Sequence, residues 1–336
     1  MYKRQGKNYN PFTGEEPGKI PHEWPGVNLR GKNTLFAAAD TTLLFLIGIG
    51  IYYEWVKEKK FIKENSSYIY NALEYVKRHL KDNLFWDSPS YCHSNSFALY
   101  STCWRDIGYP ERKNRKHLWP ASYLMVNILL VKALRILARL SELDILFLDK
   151  QYLKKQAEKT RRKILKEFWI SKEGYFASAI DMKGKIKTLY LDSLWSLYFL
   201  EKNDIEKSKI KKVFKNLKKL ETPYGYITRE NKLGYEYKGG IKKIECTIWP
   251  WENAYLAIVA ERFGFYNIKE KCFFPVRALK ISKYPFTEYL QYKKSKIPLP
   301  KGCNVQLWTI AYVKAMYEMI TTKTVSYTHL TLPTKA

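Results

Sequence analysis

The stretch NILLVKALRILARL (127–140) carries Ile128, Val131, Leu134 and Leu137 on one helical face, with polar residues opposite. A face of that kind has to be buried against another element. Comparable amphipathic segments recur at 60–82, 121–142, 150–169, 188–201, 205–220, 251–263, 267–281 and 304–321. Loops rich in Gly, Pro and aromatics separate them, such as DSPSYCHSNS (87–96) and TPYGYITRENKLGYEYKGG (222–240). Short strands fit inside these loops, but no run alternates long enough to make a sheet. Nothing marks a linker. A chain of about nine long helices buries its apolar faces most simply as a closed ring of helix pairs. Functional residues then belong on the loops at one end of that ring.

The segment TLFAAADTTLLFLIGIGIYY (34–53) is long enough to suggest a membrane span. Asp40 lies well inside it, and an aspartate near the centre of a spanning helix costs about 2.5–3.5 kcal/mol. A buried core helix starting at Thr41 and capped by Asp40 is the better reading, with no membrane partner.

Lys and Arg number 59 against 32 Asp and Glu, a formal charge of +27. Charge of that size favours polyanions on electrostatic grounds. The lysines are dispersed, however, as in KSKIKKVFKNLKKL (207–220), where they alternate with apolar residues as on a solvated helix face. No nucleic-acid-reading motif is present, so no nucleic-acid partner is expected. Aromatic residues make up 16% of the chain, suiting either helix interfaces or the stacking of flat ligands. The five cysteines form no metal spacing and no Cys-x-x-Cys pair, which fits free thiols in a reducing, cytoplasmic compartment. No phosphate-cradling glycine loop appears, and no metal or cofactor is expected. MYKRQ (1–5) and VSYTHLTLPTKA (325–336) resemble translated sequencing-adapter DNA. The expectation is therefore a metagenomic fragment, with authentic sequence over 6–324.

Five stretches stand out in order along the chain, at 11–24, 37–46, 103–108 (CWRDIG), 245–264 (with WPWEN) and 284–316. Together they resemble the glycogen-debranching amylo-α-1,6-glucosidases. PFTGEEPGKIPHEW (11–24) is similar to their "tGeePGKIlHE" segment, and AAADTTLLFL (37–46) to "gsVDATpLFl". CWRDIG (103–108) resembles the "gWkDS" loop that carries the family's general acid. ECTIWPWENAYLAIVAERFG (245–264) resembles "GsVWPhDNAliAlGLarrG". YPFTEYLQYKKSKIPLPKGCNVQLWTIAYVKAM (284–316) resembles the segment holding the general base. The resemblance implies an all-α (α/α)6 toroid of helical hairpins, incomplete because about three earlier helices of the family precede the first motif, so this fragment alone is expected to be inactive. The chain departs from the pattern in reading KIECTIW for "YHxGsVW" and WPWEN for "WPhDN".

The resemblance makes Asp106 the proton donor and Glu288 the group that activates water, as inverting glycoside hydrolysis requires. Taken alone, Asp106 could equally cap a helix or pair with an arginine, and Glu288 could be a surface glutamate. Trp104 beside Asp106 supplies an apolar wall of the kind that raises a carboxyl pKa. Arg105 is expected to bind substrate or point away. Trp104, Trp249, Trp251 and Trp308 are candidate sugar platforms, because pyranose faces pack on aromatic rings. Each fits a helix interface as well. Asp40 and Gln306 complete the substrate set, with Glu252 and Glu245 as reserve candidates for base or sugar contact. The expected substrate is an α-1,6-linked glucose stub of glycogen or a related α-glucan. The alternatives are another (α/α)6 α-glucosidase, trehalase-like or glucoamylase-like, or a non-catalytic basic protein that binds an anionic polymer.

Overall fold

A computed structural model of the chain describes residues 4–22, 24, 34–88, 101–104, 108–113, 117, 119–230, 247–292 and 297–321. The chain divides into two compact units, Met1–Trp169 with Ala177–Lys187, and Ile170–Phe176 with Thr188–Ala336.

The first unit contains helices α1 (Thr41–Val56), α2 (Lys59–Glu64), α3 (Ser66–Arg78), α4 (Leu124–Glu142) and α5 (Lys150–Glu167). The face read from NILLVKALRILARL is its core: Ile128, Val131, Leu134 and Leu137 are fully buried as α4 packs on α1 and α5. The approach of α1 to α4 is close at Gly50, where an added Cβ would lie 2.5 Å from Ile136 Cγ2. Helix α1 is buried on one face only: Leu43, Leu46 and Ile47 face inward, while Ile51 and Trp55 are exposed. Asp40 does occupy the N-cap position of α1, but its side chain makes no capping bond. By contrast, Asp149 caps α5 by accepting from Tyr152 N at 2.9 Å.

The single helix expected over 60–82 is two. Asn65 interrupts it, its Nδ2 donating to Phe61 O at 2.7 Å and so satisfying a carbonyl at the end of α2. Strands Leu80–Lys81 and Leu84–Phe85 follow, joined through Asp82 and Asn83, both at positive φ (52° and 63°). That pair of residues suits the mirror-image turn that matches strand twist. A three-stranded ribbon joins Ser122–Tyr123, Ala179–Asp181 and Gly184–Lys185. Beside it Arg112 grips Asp181 through two bonds of 2.7 and 2.9 Å.

The second unit contains α6 (Asp192–Trp195), α7 (Lys207–Asn216), α8 (Pro250–Arg262), α9 (Tyr266–Lys271), α10 (Pro275–Lys280) and α11 (Leu307–Thr321). Helix α8 packs against α6, α9 and α11. The expected helix over 188–201 shrinks to α6 and a 3-10 turn at Ser196–Phe199. Arg262 Nη1 takes the carbonyls of Tyr198 (3.0 Å) and Leu200 (2.7 Å), replacing bonds a longer helix would supply. The helix expected over 267–281 breaks into α9 and α10 because Pro275 lacks an N–H and starts a new helix. Helix α7 buries Ile210, Val213 and Phe214 and turns most of its lysines to solvent. Among the described residues no helix is long and apolar enough to cross a membrane.

Candidate active site

In the second unit, an antiparallel ribbon of Thr247–Ile248, Tyr289–Gln291 and Leu299–Lys301 brings two of the sequence motifs together. Its register pairs Ile248 with Leu290, so the next residues outward, Trp249 and Tyr289, meet. Their rings stack at 5.0 Å with 25° between planes. Trp249 then opens α8, with Pro250 fixing the first helical turn. Its Nε1 donates to Thr247 Oγ1 at 2.8 Å and it is only 6% exposed, so it is a buried wall. Trp308, on the first turn of α11, lies 5.9 Å from Trp249 and 6.2 Å from Trp251 and is 39% exposed.

Glu288 precedes Tyr289 on the same ribbon. Its backbone N donates to Cys303 O and its Oε2 accepts from Cys303 N, both at 2.9 Å. Oε1 takes no hydrogen bond from a described residue. The segment is tied to the start of α11: Gln306 N donates to Phe286 O at 2.8 Å, and Thr309 Oγ1 to Thr287 O at 2.8 Å. Glu288, Gln306, Trp249, Trp251 and Trp308 are therefore brought together by these contacts. Burial and the nearby Glu288 charge push the Tyr289 hydroxyl pKa up.

Glu252 differs from the expectation that it contacts sugar. It is wholly buried, with Oε1 accepting from Trp195 Nε1 at 3.0 Å and Oε2 from Thr228 Oγ1. Its carboxylate is bound to protein donors behind the tryptophans, since Trp195 packs edge-on against Trp251 at 4.9 Å.

In the first unit, Asp40 and Trp104 are joined directly. Asp40 Oδ2 accepts from Trp104 N at 2.9 Å, in place of the cap bond. Burial raises the Asp40 carboxyl to about 6, opposed by the charge of His22 and the bond from Trp104. Ala39 N donates to Thr102 O at 2.6 Å, and Thr102 Oγ1 donates to the buried Asp87. The chain just ahead of Arg105 is thus fastened to the start of α1. Asp106, Arg105 and Glu245 lie outside the described residues, as do Cys92, Cys246 and the 325–336 tail. Sequence reasoning passed over Tyr289, Gly302, Cys303 and Asp87. Only the cross-strand register could have flagged Tyr289, and nothing local distinguishes Asp87.

Solved structures of the (α/α)6 fold resemble the chain. The GH63 mannosylglycerate hydrolase from Thermus thermophilus, solved with Tris and D-glycerate, matches 94% of this chain and 86% of its own, with TM-score 0.62 and 14% identity. The rhamnosidase from Klebsiella oxytoca with rhamnose bound matches 84% of this chain and 46% of its own, with TM-score 0.54 and 11% identity. The chain spans 38% of the neutral trehalase Nth1 from Saccharomyces cerevisiae, which matches 59% of this chain at 15% identity and a TM-score of 0.48. No curated protein matches the chain. The fold is the all-α (α/α)6 class expected from the sequence.

The chain belongs to the amylo-alpha-1,6-glucosidase family, whose profile matches residues 15–315. That membership places the chain among families of glycoside hydrolases.

Proposed function

We propose that the protein is an inverting glycoside hydrolase that removes an α-1,6-linked glucose from glycogen or a related α-glucan. Asp106 is the general acid and Glu288 the general base. The observation that carries the reading is the state of Glu288: one carboxylate oxygen is held by the Cys303 amide, and the other takes no bond from a described residue. It stands on a ribbon beside Trp249 and Tyr289, with the partly exposed Trp308 nearby. A carboxylate oriented in this way can take a proton from water, and an aromatic wall can take the face of a sugar ring. Inversion needs about 6.5–9.5 Å between the two carboxyls, enough for the attacking water.

In this reading Trp308, Trp251 and Gln306 meet the sugar, with Trp249 behind them. Trp104 and Arg105 flank the donor, and Asp40 sets the Trp104 backbone. Glu252 supports Trp195 and touches no substrate. The test is glucose release by the complete enzyme from α-1,6, α-1,4 and α,α-1,1 substrates. Release from the α-1,6 compounds is expected. Release from another linkage alone reassigns the substrate to a glucoamylase-like or trehalase-like one. Release from none, together with salt-sensitive binding to an anionic polymer, favours the non-catalytic reading and overturns the proposal.

A further inference from the structure

Glu288 does not sit in an ordinary strand-to-turn junction. The ribbon pairs Tyr289 with Lys301, and immediately beyond Lys301 the chain turns through Gly302 at φ +75°. An L-residue in that region is strained, which already favours glycine. The space around Gly302 adds a second reason. A Cβ there would lie 2.3 Å from Glu288 Oε2, 2.8 Å from its Cδ and 2.7 Å from its Cβ. The contact with Glu288 Cβ means that rotating the carboxylate away does not make room. The carboxylate therefore lies across the bare face of Gly302, where it reaches the N–H of Cys303 at 2.9 Å. The same two residues are also joined through their backbones, Glu288 N donating to Cys303 O at 2.9 Å.

From this geometry we infer that Gly302 and the Cys303 main-chain amide are positioning residues for Glu288: the glycine admits the carboxylate, and the amide holds Oε2 so that Oε1 is the oxygen presented to water. The inference rests on Glu288 being the base. Two bonds between the same pair of residues restrict both the backbone and the side chain, so the carboxylate is oriented before substrate arrives, which is how a fixed general base saves reorganisation during reaction. The Cys303 thiol plays no part in this.

The test uses the complete enzyme in two arms. In the first, Gly302→Ala is compared with Gly264→Ala. Gly264 also has positive φ (+82°), but nothing lies within 4 Å of a Cβ built there. Both variants bear the strain of an L-residue at positive φ, but only Gly302→Ala displaces Glu288. The expected result is a kcat loss of roughly 100-fold in Gly302→Ala with KM within about threefold of wild type, and unchanged kcat in Gly264→Ala. Equal kcat in the two variants overturns the inference.

The second arm needs no activity and holds even if Gly302→Ala does not fold. Selective 15N labelling of the five cysteines gives five amide signals, and the one lost in Cys303→Ser identifies Cys303. Glu288→Gln should move that signal upfield by removing a charge-assisted bond. A Cys303 signal unmoved by Glu288→Gln overturns the inference. Wild-type activity in Glu288→Gln overturns the assignment of the base instead, so the two failures are distinguishable.

Discussion

Trp195 Nε1 donates to Glu252 Oε1 at 3.0 Å, with both residues buried and Thr228 Oγ1 donating to the other carboxylate oxygen. The acidic residue of the WPWEN motif therefore works beneath the tryptophan surface. Glu252→Ala leaves two buried donors without partners, at about 1–3 kcal/mol each. Urea denaturation of Glu252→Ala should show a loss on the order of 3 kcal/mol, and Glu252→Gln a smaller one because its amide oxygen still accepts. A stability equal to wild type with a raised KM contradicts the structural role and restores Glu252 to the sugar contacts.

Asp40 makes stability depend on pH in an unusual direction. Burial raises its folded carboxyl from 3.8 to about 6. Between those values the folded chain holds more protons than the unfolded one, so stability falls as pH rises through the window. The drop from this group is on the order of 3 kcal/mol. Asp40→Asn keeps an acceptor for Trp104 N and removes the titration. Denaturation at about pH 3 and about pH 7, either side of that window, should show wild type losing more stability than the variant across the interval. Parallel losses in the two proteins contradict the assignment.

Gly50 lets α1 approach α4, because an added Cβ would fall 2.5 Å from Ile136 Cγ2. Gly50→Ala should destabilise by about 1–3 kcal/mol through overpacking, despite alanine's better helix propensity. Removing the clashing group in Gly50→Ala/Ile136→Ala should recover part of that loss, giving a non-additive cycle. Additive losses in thermal denaturation contradict the contact.

How far the sequence carried depends on whether the deciding contact is local. Helix α4 was legible because its burial follows a 3.6-residue period within one segment, and α5 because its apolar face is equally regular. The break at Pro275 has a local cause and could have been read. The short α6 has a distant one, since carbonyls of the 3-10 turn that follows it, at Tyr198 and Leu200, accept from Arg262, more than 60 residues away. Asp40 shows the same division: the sequence places it at the start of α1, but its carboxylate goes to Trp104, 64 residues on. Among the candidate site residues, Glu288, Trp249, Trp251 and Trp308 came from the family resemblance, and ring contacts link the three tryptophans in the structure. That resemblance could not tell that Glu252 is buried, which its bonds to Trp195 and Thr228 decide, nor that Gly302 and Cys303 adjoin Glu288, which the ribbon register decides.

The central claim is a pair of carboxyls that hydrolyse an α-glucoside with inversion, with Glu288 activating the water. A 1H NMR time course of hydrolysis of an α-1,6-branched dextrin tests it most directly, because anomer and rate are read together. The account predicts β-glucose as the first product, with turnover falling roughly 100-fold or more in Glu288→Gln and in Asp106→Asn. First release of α-glucose, or wild-type turnover in either variant, contradicts it.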